Sequence, residues 1–374
     1  MSKIIRLFVV SAILLSLVVC SSCGIIEKRT DEYETQTDVI SESITESESE
    51  SESESEEIPA LVIPEYTNPL TGLGVDESIA DNRPVAVMIN NIKASMPQLG
   101  TSGADIIYEC IVEGAQTRLM AVYLDYESIP AIGSVRSSRE YYLDFAGNHD
   151  AIYVHAGGSE EAYRQIKASR VNNLDGVNMY LPDTFYRDEA RVKSMPYEHT
   201  LMTSGEGIVS GIQYKGYRST ANADFDWPFE FVPFGEEILP EGDAAKYVSV
   251  SYSDKHEPYY IYNEETGLYK RYQFDEEQVD AGADEALCFD NIIILYCSTY
   301  NTGDEYGHYS VSATGSGEGI YITRGRAVDI TWEKSSRNSP VKLSLENGDE
   351  LIMNRGKTMM QICTNSMKAD TVIS

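Results

Sequence analysis

Positive charge is scarce in this chain. Its 29 Lys and Arg stand against 60 Asp and Glu, a formal net charge of −31. Part of the imbalance sits in Glu27–Glu57, with 13 acidic and 2 basic residues, but Pro59–Ser374 still carries 47 acidic against 25 basic, a net −22. A surface of that sign repels phosphate backbones, so direct nucleic-acid binding is excluded. The apolar run at the start, Leu7–Val19, has 13 residues, whereas a spanning helix needs about 20. Of the 6 cysteines, the four after Cys23 show no C-x-x-C or histidine-rich spacing, and no G-x-S-x-G or H-E-x-x-H motif occurs. These absences remove the familiar metal and nucleophile signatures, and neither a metal nor a cofactor is expected.

What is present begins with a sorting signal. Lys3 and Arg6 precede the Leu7–Val19 run, the form of a secretory signal peptide over residues 1–23. The following Val19-Cys20-Ser21-Ser22-Cys23-Gly24 resembles the lipobox of bacterial lipoproteins, with Cys23 as the lipidated residue because small Ser22 precedes it. The resemblance implies an acylated amino terminus of the palmitate kind, each buried methylene adding about 0.8 kcal/mol to anchoring. The expected location is the extracytoplasmic face of the cell membrane. Residues 24–58 alternate Ser with Glu over their second half and hold too few large apolar residues for a core, so they read as a disordered acidic spacer.

The chain is 42% hydrophobic overall, and its length after the spacer is enough for two ordinary domains. Residues 59–234 read as α/β, a mixed sheet with helices. Pro84–Asn90, Ala104–Val112, Arg118–Leu124 and Ala151–His155 are short β-branched runs of buried-strand type. Helices are expected over Glu160–Lys167 and Thr203–Lys215, and Tyr186–Thr200 reads as a loop over the sheet. Residues 235–374 alternate apolar and polar, with turn signals at Arg324-Gly325 and Asn347-Gly348. That pattern predicts a β-rich sandwich or partly open barrel. Its Trp332 and many tyrosines offer either an aromatic face for a glycan or peptide, or plain cross-strand packing. Cys110, Cys288, Cys297 and Cys363 read as small buried hydrophobes; an extended Asn291–Cys297 strand holds Cys288 and Cys297 too far apart for a disulfide.

Functional groups concentrate in Ile132–Ser159. Ser137 and Glu140 have the spacing of a capping box, which predicts a helix running to Gly147 with Arg136 and Arg139 at its positive end. Two cations there call for an anion, either a ligand or an internal carboxylate such as Glu109 or Glu113. His155 ends a strand, where ligands of open α/β sheets gather. Gly157-Gly158-Ser159 then leads into a helix, but Glu160 and Glu161 in its first turn argue against a phosphate. Arg187, Arg191 and His199 lie in the polar loop that follows.

Asn68–Gly72, Arg83–Asn90, Ala104–Glu109, Gly133–Arg139 and Tyr186–Asp188 together resemble the YerB-like family of bacterial lipoproteins, a domain family of unknown function (DUF3048). The resemblance covers nearly everything after the spacer. It implies a membrane-tethered, extracytoplasmic protein of two domains with no established reaction. The expected function is a binding or assembly module with an arginine-based anion site built from Arg136, Arg139, His155, Arg187, Arg191, His199 and Glu109. Its ligand is an anionic small molecule, peptide or glycan, and the β-rich domain can dock a protein partner. The alternative is a cell-envelope hydrolase using His155 or His199 with Glu109 or Glu113 as acid and base.

Overall fold

The computed structural model describes residues 61–374. The signal peptide, Cys23 and the acidic spacer lie outside them. No helix among the described residues is long and apolar enough to cross a membrane.

One mixed sheet runs through both halves of the described chain. The amino-terminal half contributes β1 (Val85–Asn90), β2 (Ile106–Val112), β3 (Gln116–Tyr123), β4 (Ile152–His155) and β5 (Asn173–Asp175). After these come β6 (Tyr247–Ser249), β7 (Tyr259–Asn263), β8 (Leu268–Gln273), β9 (Asn291–Cys297), β10 (Gly315–Thr323), β11 (Arg326–Lys334) and β12 (Thr358–Thr364). The large sheet has the order β11-β10-β9-β12-β2-β3-β1-β4-β5. β12 lies parallel to both β9 and β2, so the last long strand joins the two halves. Every residue of β1, β2 and β9 is buried, as unbroken β-branched runs require when a sheet is covered on both faces.

β6, β7 and β8 form a second, antiparallel sheet with short strands at Glu276–Glu277, Cys288–Phe289 and Val372–Ile373. β8 alternates half-buried and buried residues, presenting Tyr269, Arg271 and Gln273 inward. No strand pairing closes a barrel among the described residues.

Three helices matter for the site: α1 (Tyr142–Gly147), α2 (Glu160–Ser169) and α3 (Gly205–Lys215). The Ser159 hydroxyl caps α2 by accepting from the Ala162 amide, and Ser204 does the same for α3 through Gly207. α1 departs from the expected capping box. It begins at Tyr142, and Ser137 caps nothing. The segment before it is extended because its backbone groups are already engaged: Arg136 N donates to Met88 O, Ala156 N donates to Arg136 O, and Ser138 N donates to Gly157 O. Arg136 is therefore held between β1 and the end of β4, and Arg139, whose carbonyl accepts from Tyr142 N, precedes α1 by three residues instead of standing in its first turn.

The Tyr186–Thr200 stretch, expected as a loop, carries a strand at Phe185–Arg187, a six-residue helix at Glu189–Ser194 and a 3₁₀ turn at Tyr197–His199. Asp188 caps that helix, a local signal hidden by the polar composition. Trp332 belongs to the core at 4% exposure, with its indole N–H donating to Tyr296 O. All four described cysteines are free thiols.

Candidate functional site

Two polar assemblies stand out, one around Glu113 in the turn between β2 and β3 and one around Glu109 within β2. The first gathers arginines. Glu113 meets Arg139 in a bidentate pair (Nε–Oε2 3.0 Å, Nη2–Oε1 2.5 Å) and Arg118 at 2.7 Å. Burial pushes the Glu113 carboxyl up, but Arg118 and Arg139 outweigh it and hold it at about 2. Burial, then the neighbouring Arg139, lowers Arg118 to about 10. Arg136 takes no share of that carboxylate. Its Nη1 donates to Glu198 O at 3.1 Å, while its Nε is buried without a partner. Arg187 donates to the adjacent carbonyl, Tyr197 O, at 2.6 Å and stacks over the Tyr197 ring. Arg136 and Arg187 thus hold consecutive carbonyls of the turn that ends in His199. His199 is buried against Asn90 (2.8 Å), and burial followed by the charge of Arg136 lowers its pKa.

The other expected residues go elsewhere. Arg191 donates to Ser95 O and Pro97 O and ties its helix to the 93–97 segment. His155 is fully buried, with its ring nitrogens engaged by Gly157 O (2.8 Å) and Asn173 Oδ1 (3.1 Å). Glu109 belongs to the second assembly. Neither His155 nor His199 has Glu109 or Glu113 as a partner, because Glu113 is taken by arginines and Glu109 by His256.

That second assembly is a buried network drawn from distant parts of the chain. Glu109 Oε1 accepts from Asn91 Nδ2 (2.9 Å), Thr117 Oγ1 (2.7 Å) and His256 Nε2 (3.1 Å). Oε2 accepts from Arg271 and from Gln361 Nε2 (2.9 Å). Burial raises the pKa of Glu109, yet Arg271 and the His256 and Thr117 contacts more than reverse this and leave it at about 2. Arg271 is completed by Tyr260 Oη (2.8 Å), Gln273 Oε1 (2.6 Å) and Gln278 Oε1, so each of its three guanidinium nitrogens has a partner inside the protein.

His256 links this network to solvent. His256 Nε2 lies 2.5 Å from Thr117 Oγ1, 3.0 Å from Gln273 Nε2 and 3.2 Å from Asn91 Nδ2 as well as 3.1 Å from Glu109 Oε1, and Nδ1 makes no hydrogen bond among the described residues. His256 lines a cleft of about 640 Å³ bounded by Ile92, Lys93, Gln116, Lys255 and Phe274. A second cavity of about 260 Å³, lined by Met96, Glu276 and Glu277, shares Lys93 and Phe274 with it. Sequence reading missed His256 because it stands in a polar turn, Ser253–His256, with no motif around it. Among the described residues no group of three or more His, Cys, Asp or Glu is placed to hold a metal.

Comparison with known proteins bears on most of the described chain. Residues 70–218 match the N-terminal domain of the protein family of unknown function DUF3048, and residues 248–360 match its C-terminal domain. The Bacillus subtilis (strain 168) protein named "Putative lipoprotein YerB" is 28% identical over 298 residues, covering 79% of this chain and 85% of that protein. The crystal structure of YerB from Bacillus subtilis superposes with a TM-score of 0.71 at 26% identity, covering 82% of this chain and 99% of that one. The two domain matches, in order and within one continuous sheet, make this chain a member of the YerB-like DUF3048 family.

Proposed function

We propose that this chain is a lipid-anchored binding module on the extracytoplasmic face of the membrane, and that it recognises an anion at Arg136. The lipobox-like sequence around Cys23 and the name of its relative YerB support the anchor. The observation that carries the binding role is the charge balance at Glu113. Arg118 and Arg139 share its carboxylate, and Arg136, next to them, keeps a buried and unpartnered Nε. A guanidinium with a free edge suits bidentate carboxylate or phosphate. Arg118 and Arg139 set the local field, and Arg187 holds the adjoining turn.

The test is Arg136→Gln in the full chain, titrated calorimetrically with inorganic phosphate and with citrate. Arg139 is unsuitable because its removal strands Glu113. Saturable binding of either anion by the parent, weakened about tenfold or more in Arg136→Gln, supports the reading. Equal binding by both proteins, or none by the parent, overturns it.

A further inference from the structure

We infer that the anion at Arg136 is a phosphate monoester in its dianionic form, shared between Arg136 and Arg187, with its organic group beside Tyr197. The inference rests on the anion-binding reading of Arg136 and names what that site selects.

Two guanidinium groups meet at one turn, and neither is filled. Arg136 spends Nη1 on Glu198 O; its Nε is buried without a partner, and its Nη2 makes no hydrogen bond among the described residues. Arg187 spends Nη1 on Tyr197 O and, at 3.3 Å, on Thr200 Oγ1. Its Nε and Nη2 make no hydrogen bond among the described residues. Because the two carbonyls belong to consecutive residues, the two open edges belong to neighbouring side chains.

The nearby carboxylates are engaged elsewhere. Glu113 is taken by Arg118 and Arg139. Asp188 caps the helix that follows Arg187, accepting from Arg191 N. Glu198 is exposed and bonds to neither guanidinium, its one ionic contact being His199 Nε2 at 3.7 Å.

The number of donors then selects the ligand. A carboxylate has two oxygens and a single charge, so one guanidinium fork fills it and the second is left over. A phosphate diester has the same two free oxygens and single charge. A monoester presents three terminal oxygens and nearly two charges at neutral pH, enough to engage both forks at once. Tyr197 receives the rest of the molecule. Its ring is 65% exposed and lies under the Arg187 guanidinium, 4.0 Å from the centroid. An anion on the open edge of Arg187 therefore stands next to that ring, which offers an apolar surface to an organic group the size of a sugar.

The experiment titrates the full-length chain in detergent micelles with glucose 6-phosphate, dimethyl phosphate and acetate at pH 8, where the monoester, with a second pKa of about 6, is dianionic. Calorimetry should show saturable binding of glucose 6-phosphate, with dimethyl phosphate and acetate each at least about tenfold weaker. In Arg187→Gln that preference should shrink about tenfold, through loss of glucose 6-phosphate binding alone. Arg187→Lys keeps a charge and a donor for Tyr197 O but has no fork, so it should lose the same preference while unfolding at the parent's temperature. Equal binding of the three anions by the parent, or an undiminished preference in both Arg187 variants, overturns this inference and leaves Arg136 as a general anion site. Equal weakening of all three anions in both variants also overturns it, since that is the mark of a distorted turn. A parent that binds no anion, inorganic phosphate and citrate included, overturns the Arg136 reading itself.

Discussion

Glu109 and Arg271, 162 residues apart, form an ion pair at 3.1 Å with both side chains wholly buried. One comes from the large sheet and the other from the second sheet, so the pair fastens the two layers. A buried ion pair contributes little net stability relative to apolar packing, but stranding one partner costs about 3–5 kcal/mol. Arg271→Met is expected to destabilise the protein by that amount in urea unfolding. Glu109→Leu on the same background should cost less than it does alone, giving a coupling energy of about 1–3 kcal/mol. Additive losses would show that the two residues act separately.

Acid should weaken the fold in two stages. Burial, and then Lys334, lowers His149 to about 3, so the folded state holds it neutral while the unfolded chain protonates near 6.5. Its stabilising share is complete above pH 6.5 and is lost as pH falls towards 3, by at most about 1.4 kcal/mol per pH unit. Glu109 and Glu113, both held at about 2, contribute stability that is present above 4.5 and lost between 4.5 and 2. Asp105 and Asp290 act the other way. Burial raises both to about 6, and they recover stability as pH falls from 6 towards 4. The expected signature is that His149→Gln, measured by urea unfolding from pH 7 to pH 4, shows a flatter decline than the parent. Parallel curves would remove His149 from the account.

Local structure was legible where it depends on neighbours in sequence. The buried run of β1, the helix that follows Ser159 and the turn at Arg324-Gly325 all announce themselves. The capping box at Ser137 misled because its geometry needs free backbone groups, and those of residues 136–138 are spent on Met88, Ala156 and Gly157. The Glu109 network was illegible for a different reason. Gln361 reaches Glu109 because β12 pairs with β2, while His256 and Arg271 come from the region of the second sheet, and no window of sequence displays either relationship. Arg136 could be picked out from sequence, but that its neighbours Arg118 and Arg139 share one carboxylate could not.

Gly317 is required by close packing. A Cβ there would lie 2.6 Å from Trp332 Nε1 and 2.7 Å from Tyr296 O, the two atoms that form the indole hydrogen bond. Gly317→Ala must therefore displace a buried ring or a strand backbone, at a cost of about 1–3 kcal/mol. The expected result is a lower thermal midpoint with red-shifted tryptophan emission, since one of the chain's two tryptophans would lose its enclosed setting. Unchanged emission and midpoint would mean that the strand yields freely.

Thiol reactivity should divide the four cysteines of residues 61–374 sharply. Cys110 and Cys363 are fully buried, and burial pushes their thiols well above the ordinary range; Cys297 is raised to about 12 by the same cause. Only Cys288 is partly exposed, beside Lys357 in a cavity of about 240 Å³, and burial raises it too. Because the thiolate is the reactive form, native protein at pH 8 should be labelled by iodoacetamide at Cys288 alone, and slowly. Unfolding in urea should expose all four. Peptide mapping reads the sites directly, and labelling of Cys110 or Cys363 at a rate near that of Cys288 would show that β2 and β12 part at the centre of the sheet in the native protein.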